Sequence, residues 1–169
     1  MGLPRKLKNF AVFKDGVSYL GEVPAVTLPV LTRKMDDYQA GGMGGPVKQD
    51  FGMEALSMEY KMGGWADGSH SGFGSGIHDG TMLRFAGALD SEGTGQVDVV
   101  EVVARGRISE IDKGEAKVGE ATEHTYKMEL SYYKEVLNGQ TLVEIDFVNM
   151  IENIDGVDNM AAVRAALTA

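Results

Sequence analysis

Apolar and polar side chains alternate along three long segments of the chain, and this period of two predicts half-buried β-strands. The alternation is clearest between His124 and Val136, where threonine, lysine, glutamate and serine separate the apolar residues. One face of this strand is expected to be buried and the other wet, as in an antiparallel sheet. The predicted inward residues are Tyr126, Met128, Leu130, Tyr132 and Val136.

The dipeptide Asn138-Gly139 follows this strand directly. Asparagine and glycine both tolerate positive φ, so the pair is a strong signal for a two-residue hairpin turn. The next segment, 140–147, alternates again and places Val143 and Ile145 on one side. The sequence therefore predicts a long antiparallel hairpin centred on this turn.

The second long segment runs from Val97 to Ile111, and the third from Met53 to Met62. In the second, Val97 and Val99 have the opposite parity to the apolar residues that follow, so we expect a β-bulge or a bend near 99–100. The inward residues predicted for these two segments are Val100, Val102, Ala104, Gly106 and Ile108, and Leu56, Met58, Tyr60 and Met62.

Weaker alternation predicts further strands at 9–14, 17–22, 25–30, 33–38 and 81–89. Helical spacing is confined to the C-terminus, where apolar residues recur over 157–167 among alanines, with Asp155 and Asp158 near the predicted first turn. The predicted fold class is mainly β, an antiparallel β-barrel or sandwich with one or two short helices. The 169 residues correspond to a single domain.

Glycine supplies 23 of the 169 residues, roughly twice its usual share, and much of it lies in two segments. One is the loop at 40–46, continued by an arm to residue 53, and the other is an excursion at 65–80. Long glycine-rich loops in a compact domain are usually functional or mobile. Met43 stands among four glycines of the first loop, which indicates an apolar contact for a partner surface.

Charge and cysteine content exclude several classes of function. The chain has 16 basic and 25 acidic residues, a net charge of −9, and this repels phosphate and disfavours a nucleic-acid reader with a basic patch. Cysteine is absent, which excludes disulfides, a Cys-ligated zinc ion and a thiol nucleophile. There is no run of about 18 apolar residues, so we expect no membrane anchor.

Candidate catalytic and metal-binding residues do not form a recognised pattern. His70 and His78, with Asp67 and Asp79, are a possible metal site, but their spacing is not that of a known ligand set and we interpret them as loop residues. The carboxylates at 110–123 are mixed with lysine and glycine, as in a solvated turn. No phosphate-binding glycine motif is present. We therefore predict no catalytic residue, no cofactor and no metal.

Several stretches, read in order, resemble one known family over essentially the whole chain. They are Leu3-Pro-Arg-Lys-Leu7, Thr27-Leu-Pro-Val-Leu-Thr-Arg-Lys34, Ala40-Gly-Gly-Met43, Ala55-Leu-Ser-Met-Glu59, Arg105-Gly-Arg107, Glu110-Ile-Asp-Lys-Gly-Glu115, Ser131-Tyr-Tyr133, Glu144-Ile-Asp-Phe-Val-Asn-Met-Ile151 and Asn153-Ile-Asp-Gly-Val-Asp158. This order and spacing resemble the major tail tube proteins of contractile-tailed bacteriophages and R-type tailocins. The fold of that family is related to that of type VI secretion tubes.

The resemblance implies a structural virion protein. Its implied partners are other copies of itself, in hexameric rings that stack into a tube, together with a contractile sheath protein and the baseplate and tail terminator proteins. In a phage, double-stranded DNA passes non-specifically through the lumen, and the subunits assemble in the host cytoplasm. The alternatives are a tailocin subunit that punctures membranes without DNA, a type VI-like secretion tube, a monomeric β-sandwich that binds a ligand, and an enzyme.

One departure from the family pattern concerns the glycine-rich excursion. Relatives usually carry an amphipathic helix between the strand that ends near Met62 and the one that begins near Thr81. Here that segment is glycine, serine and histidine, which is a poor helix-forming composition.

Two surfaces are expected to serve assembly. The ring-stacking candidates are Gly42, Met43, Val47 and Phe51, because an apolar side chain on glycine-rich backbone needs a partner. The wet faces of the long strands are expected to line the lumen, and the candidates are Glu101, Arg105, Arg107, Lys127, Glu129, Ser131, Glu144 and Asp146. Six subunits at −9 each carry about −54, and an acidic lumen prevents DNA from sticking.

Overall fold

A computed structural model describes residues 2–169 of the protein, and antiparallel strands dominate it. Over these residues there are twelve strands and one helix. In chain order they are β1 (Lys6–Lys14), β2 (Val17–Ser18), β3 (Ala25–Thr27), β4 (Arg33–Tyr38), β5 (Val47–Met53), β6 (Leu56–Met62), β7 (Thr81–Asp90), β8 (Val97–Asp112), β9 (His124–Leu137), β10 (Gln140–Asp146), β11 (Ile151–Ile154), β12 (Val157–Asp158) and α1 (Ala161–Thr168).

Strand β9 is the centre of a branched ten-stranded sheet. One of its edges pairs with β8 along most of its length, and the other pairs with β6 over the first half and with β10 over the second. From β10 the sheet continues through β11 to β12, from β8 it continues through β7 and β1 to β2, and β3 pairs with β6. Strands β4 and β5 form a separate two-stranded sheet.

No sheet is closed within residues 2–169, so the single chain does not show the closed form of the predicted barrel. The end strands β2 and β12 are only two residues long and do not pair with each other. The mainly β class, the antiparallel pairing and the presence of one short helix are confirmed.

The core lies against the inward faces of six strands and agrees with most of the predicted alternation. Tyr60 and Tyr126 stack inside it with ring centroids 5.2 Å apart. The asparagine–glycine hairpin is also confirmed, with φ of 48° at Asn138 and 80° at Gly139. The buried hydrophobic residues of the strands are Val12, Leu56, Met58, Tyr60, Met62, Leu83, Phe85, Val102, Ala104, Ile108, Tyr126, Met128, Leu130, Tyr133, Val143 and Ile145.

A bulge in β9 makes part of the predicted alternation wrong. Arg105 pairs with Tyr132 but Gly106 pairs with Leu130, so Ser131 is an extra residue in the ladder. An extra residue reverses the side on which every later side chain lies. Tyr133 is therefore buried, whereas Tyr132 and Val136, which we expected inward, lie on the other face.

The bulge predicted near Val99–Val100 is absent from the pairing of β7 with β8, which is regular from Val97 to Gly106. Val97 and Val99 are exposed on the outward face instead of being turned inward. No bulge is needed to explain why these two valines differ in parity from the apolar residues that follow, because single apolar side chains are common on a partly exposed face.

The C-terminal helix exists but begins at Ala161, not at residue 157. Asp155 and Gly156 have positive φ and form a turn into β12, which takes up Val157 and Asp158. None of the helix residues is buried. The helix is attached through Arg164, whose guanidinium donates to the Met150 carbonyl at 2.8 Å and to Asp158 at 2.7 Å.

Gly106 is expected to be intolerant of any side chain, because a Cβ there would overlap the carbonyl oxygen of Glu129 on β9. We expect Gly106→Ala to lower the free energy of unfolding by about 1–3 kcal/mol, as overpacking does. Gly44→Ala is the matched control, since nothing lies within 4 Å of a Cβ at that position. Urea denaturation of the unassembled protein measures both, and equal stabilities would contradict the close approach of β8 to β9.

Candidate assembly surfaces

The hairpin of β4 and β5 stands apart from the main sheet and carries the predicted stacking residues. The segment 40–53, expected as a loop with an extended arm, is the tip and second strand of this hairpin. Gly42 has a φ of 86° at the tip, and the Met43 amide donates to the Ala40 carbonyl at 3.2 Å. The Ala40 amide in turn lies 3.1 Å from the Met43 sulfur, so this side chain folds back on its own turn.

The two faces of the hairpin differ in chemistry. Tyr38 lies opposite Val47, and strand alternation places Phe51 on the same side. These three side chains are 51–61 % exposed and form what we call the apolar stripe. The opposite side carries Met35 and an exposed ion pair of 3.2 Å between Lys48 and Asp37.

Tyr38 was not among the predicted stacking residues. Tyr38 can be assigned to this surface only when 33–38 and 47–53 are recognised as the two strands of one hairpin, because their pairing places it opposite Val47. Met43 and Gly42 lie at the hairpin tip, whereas Val47 and Phe51 lie along its length.

A charged cluster joins the base of the hairpin to the main sheet. Arg33 on β4 donates from Nε and Nη2 to the Asp50 carboxylate on β5, both at 2.8 Å. Its Nη1 donates to Glu152 on β11, a carboxylate that is only 4 % exposed. The hydrogen bond from Arg33 holds the pKa of Asp50 below its ordinary value. These contacts tie β4, β5 and β11 together at the base of the hairpin.

The predicted lumen residues share one side of β8, β9 and β10, which we call the wet face. The ladders bring them together: Arg107 lies opposite Glu129, and Tyr132 lies between Arg105 and Asp146. Three ion pairs cross this face, namely Arg84–Glu101 at 2.9 Å, Lys134–Glu144 at 3.7 Å and Lys127–Glu129 at 3.7 Å. The hydrogen bond from Arg84 lowers the pKa of Glu101.

A cleft of about 540 Å³ opens on the wet face. Its lining mixes both signs of charge with few apolar groups, which does not suit a small-molecule site. The residues that line it include Val103, Arg105, Tyr132 and Lys134 on the strands, His78 and Asp79 from the glycine-rich segment, and Asp146, Val148 and Asn149 at the end of β10.

The predicted alternatives based on histidine and carboxylate chemistry are not assembled into a site. The Nδ1 of His70 lies 2.9 Å from Ser69 Oγ, whereas the Nδ1 of His78 lies 3.1 Å from Ser131 Oγ on the wet face. The carboxylates at 110–123 are exposed. Across residues 2–169 no three or more His, Cys, Asp or Glu side chains are close enough to hold a metal ion. In the same part of the chain, no helix has the length and apolar character needed to cross a bilayer.

The family described as "Phage tail tube protein FII" matches residues 4–167 of this sequence. The chain belongs to that family. It is a structural protein of the phage tail, a virion component and not an enzyme.

Two curated relatives of this tail tube protein have similar length. The tail tube protein of Escherichia phage P2 is 44 % identical over 164 residues, covering 95 % of each chain. The major tail tube protein of Serratia phage KSP20 is 44 % identical over 165 residues, covering 92 % of this chain and 91 % of the relative.

Solved structures with much lower identity share the fold. One is the sheath/tube terminator of an extracellular contractile injection system (PVC). It superposes on this chain with a TM-score of 0.58 at 8 % identity, and the match covers 79 % of this chain and 96 % of the other. The cap of the anti-feeding prophage gives 0.58 at 12 % identity, covering 80 % and 93 %. A fold kept at such low identity indicates that the sheet topology is what these proteins have in common.

The Arg33 cluster is expected to contribute to stability through the burial of Glu152. We expect Arg33→Met to lower the free energy of unfolding by about 1–3 kcal/mol, because it leaves the buried carboxylate of Glu152 without its hydrogen-bond donor. The double variant Arg33→Met/Glu152→Met is expected to recover much of that loss, because no buried charge is left unpaired.

Lys48→Met is the matched control for this experiment, because it removes an exposed ion pair of the same hairpin. Its expected effect is at most about 0.5 kcal/mol. Urea denaturation of the unassembled protein compares all three variants. The role assigned to Glu152 is contradicted if Arg33→Met is no less stable than Lys48→Met.

Proposed function

We propose that this tail tube protein forms hexameric rings whose stacked copies make the inner tube of a contractile phage tail, through which DNA leaves the virion. The observation that carries the proposal is the 44 % identity to the P2 tail tube protein over 95 % of both chains. The wet face, the hairpin and the open sheet edges of the chain supply a physical role for each part of such a tube.

Open sheet edges support ring formation. Strand β2 pairs only with Phe13 and Lys14, so most of β1 forms an edge of the sheet in the described chain. At the other end, β12 pairs only with Asn153 and Ile154 of β11. Unpaired edges attract further strands, and copies joined edge to edge in a closed ring leave none exposed.

The hairpin supports stacking between rings. Its apolar stripe of Tyr38, Val47 and Phe51 is exposed on an element that projects from the sheet, and Gly42 and Met43 form its tip. The polar pair of Asp36 and Gln49 lies on the same side between Val47 and Phe51, and exposed apolar side chains with such polar neighbours mark interaction surfaces. We assign this stripe to contact with the next ring.

The wet face supports a polar lumen. Three of its lysine and arginine side chains are held in ion pairs with Glu101, Glu129 and Glu144. The net charge of −9 per subunit adds a general repulsion of the phosphates of passing DNA.

The remaining partners follow from the tube itself. A tube inside a contractile tail meets a sheath protein on its outer wall, a baseplate at one end and a terminator at the other. The structures that share this fold come from a sheath/tube terminator, a sheath-tube complex and a baseplate, which supports these partners. The same structures favour a second candidate, a tube in a tailocin or another injection system that carries no DNA.

The apolar stripe is expected to be required for tube growth. Phe51→Ser removes an exposed ring from the stripe and is expected to abolish tubes while leaving the fold intact, because the side chain is 61 % exposed. Met35→Ser is the matched control, since Met35 is 50 % exposed on the opposite face of the same hairpin. Negative-stain imaging shows whether tubes form, and circular dichroism shows whether the fold is intact. Normal tubes from Phe51→Ser would reject the assignment.

The wet face is expected to be shielded from large reagents in the tube. The chain has no cysteine, so Glu144→Cys and Lys127→Cys each introduce a single labelling site. In assembled tubes we expect a small maleimide to react at these sites and a maleimide on a long polyethylene glycol chain to be excluded. Val118→Cys, on a fully exposed side chain, is the comparison site. Equal reaction of the large reagent with tubes and unassembled subunits would place the wet face outside.

A further inference from the structure

Lys14 is a lysine buried in the core of the protein. It ends β1 on the same side as Val12, and only 2 % of its surface is exposed. Its Nζ lies 3.0 Å from the carbonyl oxygen of Gly68, 3.0 Å from that of Ser69 and 2.6 Å from that of Ser71. All three acceptors belong to the glycine-rich segment 65–80.

An ammonium group is costly to bury unless its donors are satisfied. Lysine has three N–H donors, and three carbonyl oxygens from one segment match that number. Burial lowers the pKa of Lys14. The contact thus resembles the binding of a cation by backbone carbonyls, with the cation supplied by the chain itself.

The segment 65–80 has the backbone shape that such a contact needs. It is a run of tight turns in which the amides of Ser69, Ser71, Phe73 and Ser75 each donate to the carbonyl three residues earlier. Gly68 and Gly72 have φ of 72° and 95°, so the chain reverses where the carbonyls converge. Ser69 is 1 % exposed, which places this part of the segment inside the fold.

Further contacts carry the rest of the segment onto the wet face. A Cβ on Gly72 would overlap Thr81 Oγ1, so the segment packs closely on the start of β7. Phe73 makes a single parallel bridge to Ile108, alongside the part of β8 that lies beyond β7. Arg107 donates to the Ser75 carbonyl at 3.2 Å, and His78 contacts Ser131.

We propose that the Lys14 ammonium is an internal cation around which the segment 65–80 folds, and that this contact keeps the segment closed over the core. The composition of the segment gives it little capacity to hold a shape by itself. Lys14 anchors residues 68–71 of the segment, and the contacts with Thr81, Arg107 and Ser131 hold the residues that follow. Residues 78 and 79 then form one wall of the wet-face cleft.

The first test removes the ammonium. Lys14→Met keeps an unbranched side chain without the charge, and we expect hydrogen exchange at the amides of 66–75 to accelerate by about tenfold or more through local opening. Lys8→Met is the matched control, because Lys8 is an exposed lysine of the same strand. Unchanged exchange in Lys14→Met would overturn the proposal.

The second test opens the segment from its other side and leaves Lys14 in place. Reductive methylation followed by mass spectrometry is expected to modify Lys14 in the native protein at least about tenfold more slowly than Lys8, because it needs segment opening. Gly72→Ala introduces the overlap with Thr81 and is expected to raise the Lys14 rate, whereas Gly74→Ala, also at positive φ but with nothing within 4 Å, serves as the control.

This second test remains decisive if Lys14→Met does not fold. The proposal is overturned if Lys14 in the native protein reacts as fast as Lys8. It is also overturned if Gly72→Ala accelerates exchange across 66–75 while Lys14 stays as protected as in the unmodified sequence.

Discussion

The pairing of β8 with β9 is the interaction on which the rest of the structure depends. These are the two longest strands, and every large branch of the main sheet starts from one of them. The bulge at Ser131 lies within this pairing and changes which side of β9 is buried. It turns Tyr133 into the core, and it leaves Tyr132 on the wet face between Arg105 and Asp146. The close approach at Gly106 occurs at the same point of the ladder.

Much of this fold could be predicted from the sequence, because burial on one face leaves a period of two along each long strand. Leu56 to Met62 and Tyr126 to Leu130 were predicted residue by residue, and the turn at Asn138 followed from its backbone preference. The alternation failed after Leu130 because two consecutive tyrosines stand at 132 and 133, and either could have been the inward one. A bulge leaves no composition signal when both neighbours are equally apolar.

The candidate surfaces were harder to predict, for a different reason. Contacts such as Arg33 with Glu152 and Lys14 with Ser69 join residues that are 119 and 55 positions apart. No local pattern records them, and a lysine at the end of a predicted strand looks like an ordinary exposed residue. The hairpin of β4 and β5 was predicted only in part: its first strand and glycine-rich tip were recognised, but its second strand was interpreted as an arm. Family resemblance indicated the kind of assembly but left the geometry of these contacts open.

The Arg33 cluster also defines a mechanical path through the subunit. A force applied to the hairpin along its length would pass through the backbone from Met53 to Leu56 into β6, and the contact of Arg33 with Glu152 would carry part of it to β11. From there the ladder of β11 with β10, and that of β10 with β9, would spread it across the widest part of the sheet. Hydrogen bonds of an antiparallel ladder pulled along the strands share the strain among many pairs instead of opening one at a time. The subunit is therefore built so that a projecting element and the sheet behind it resist extension as one unit.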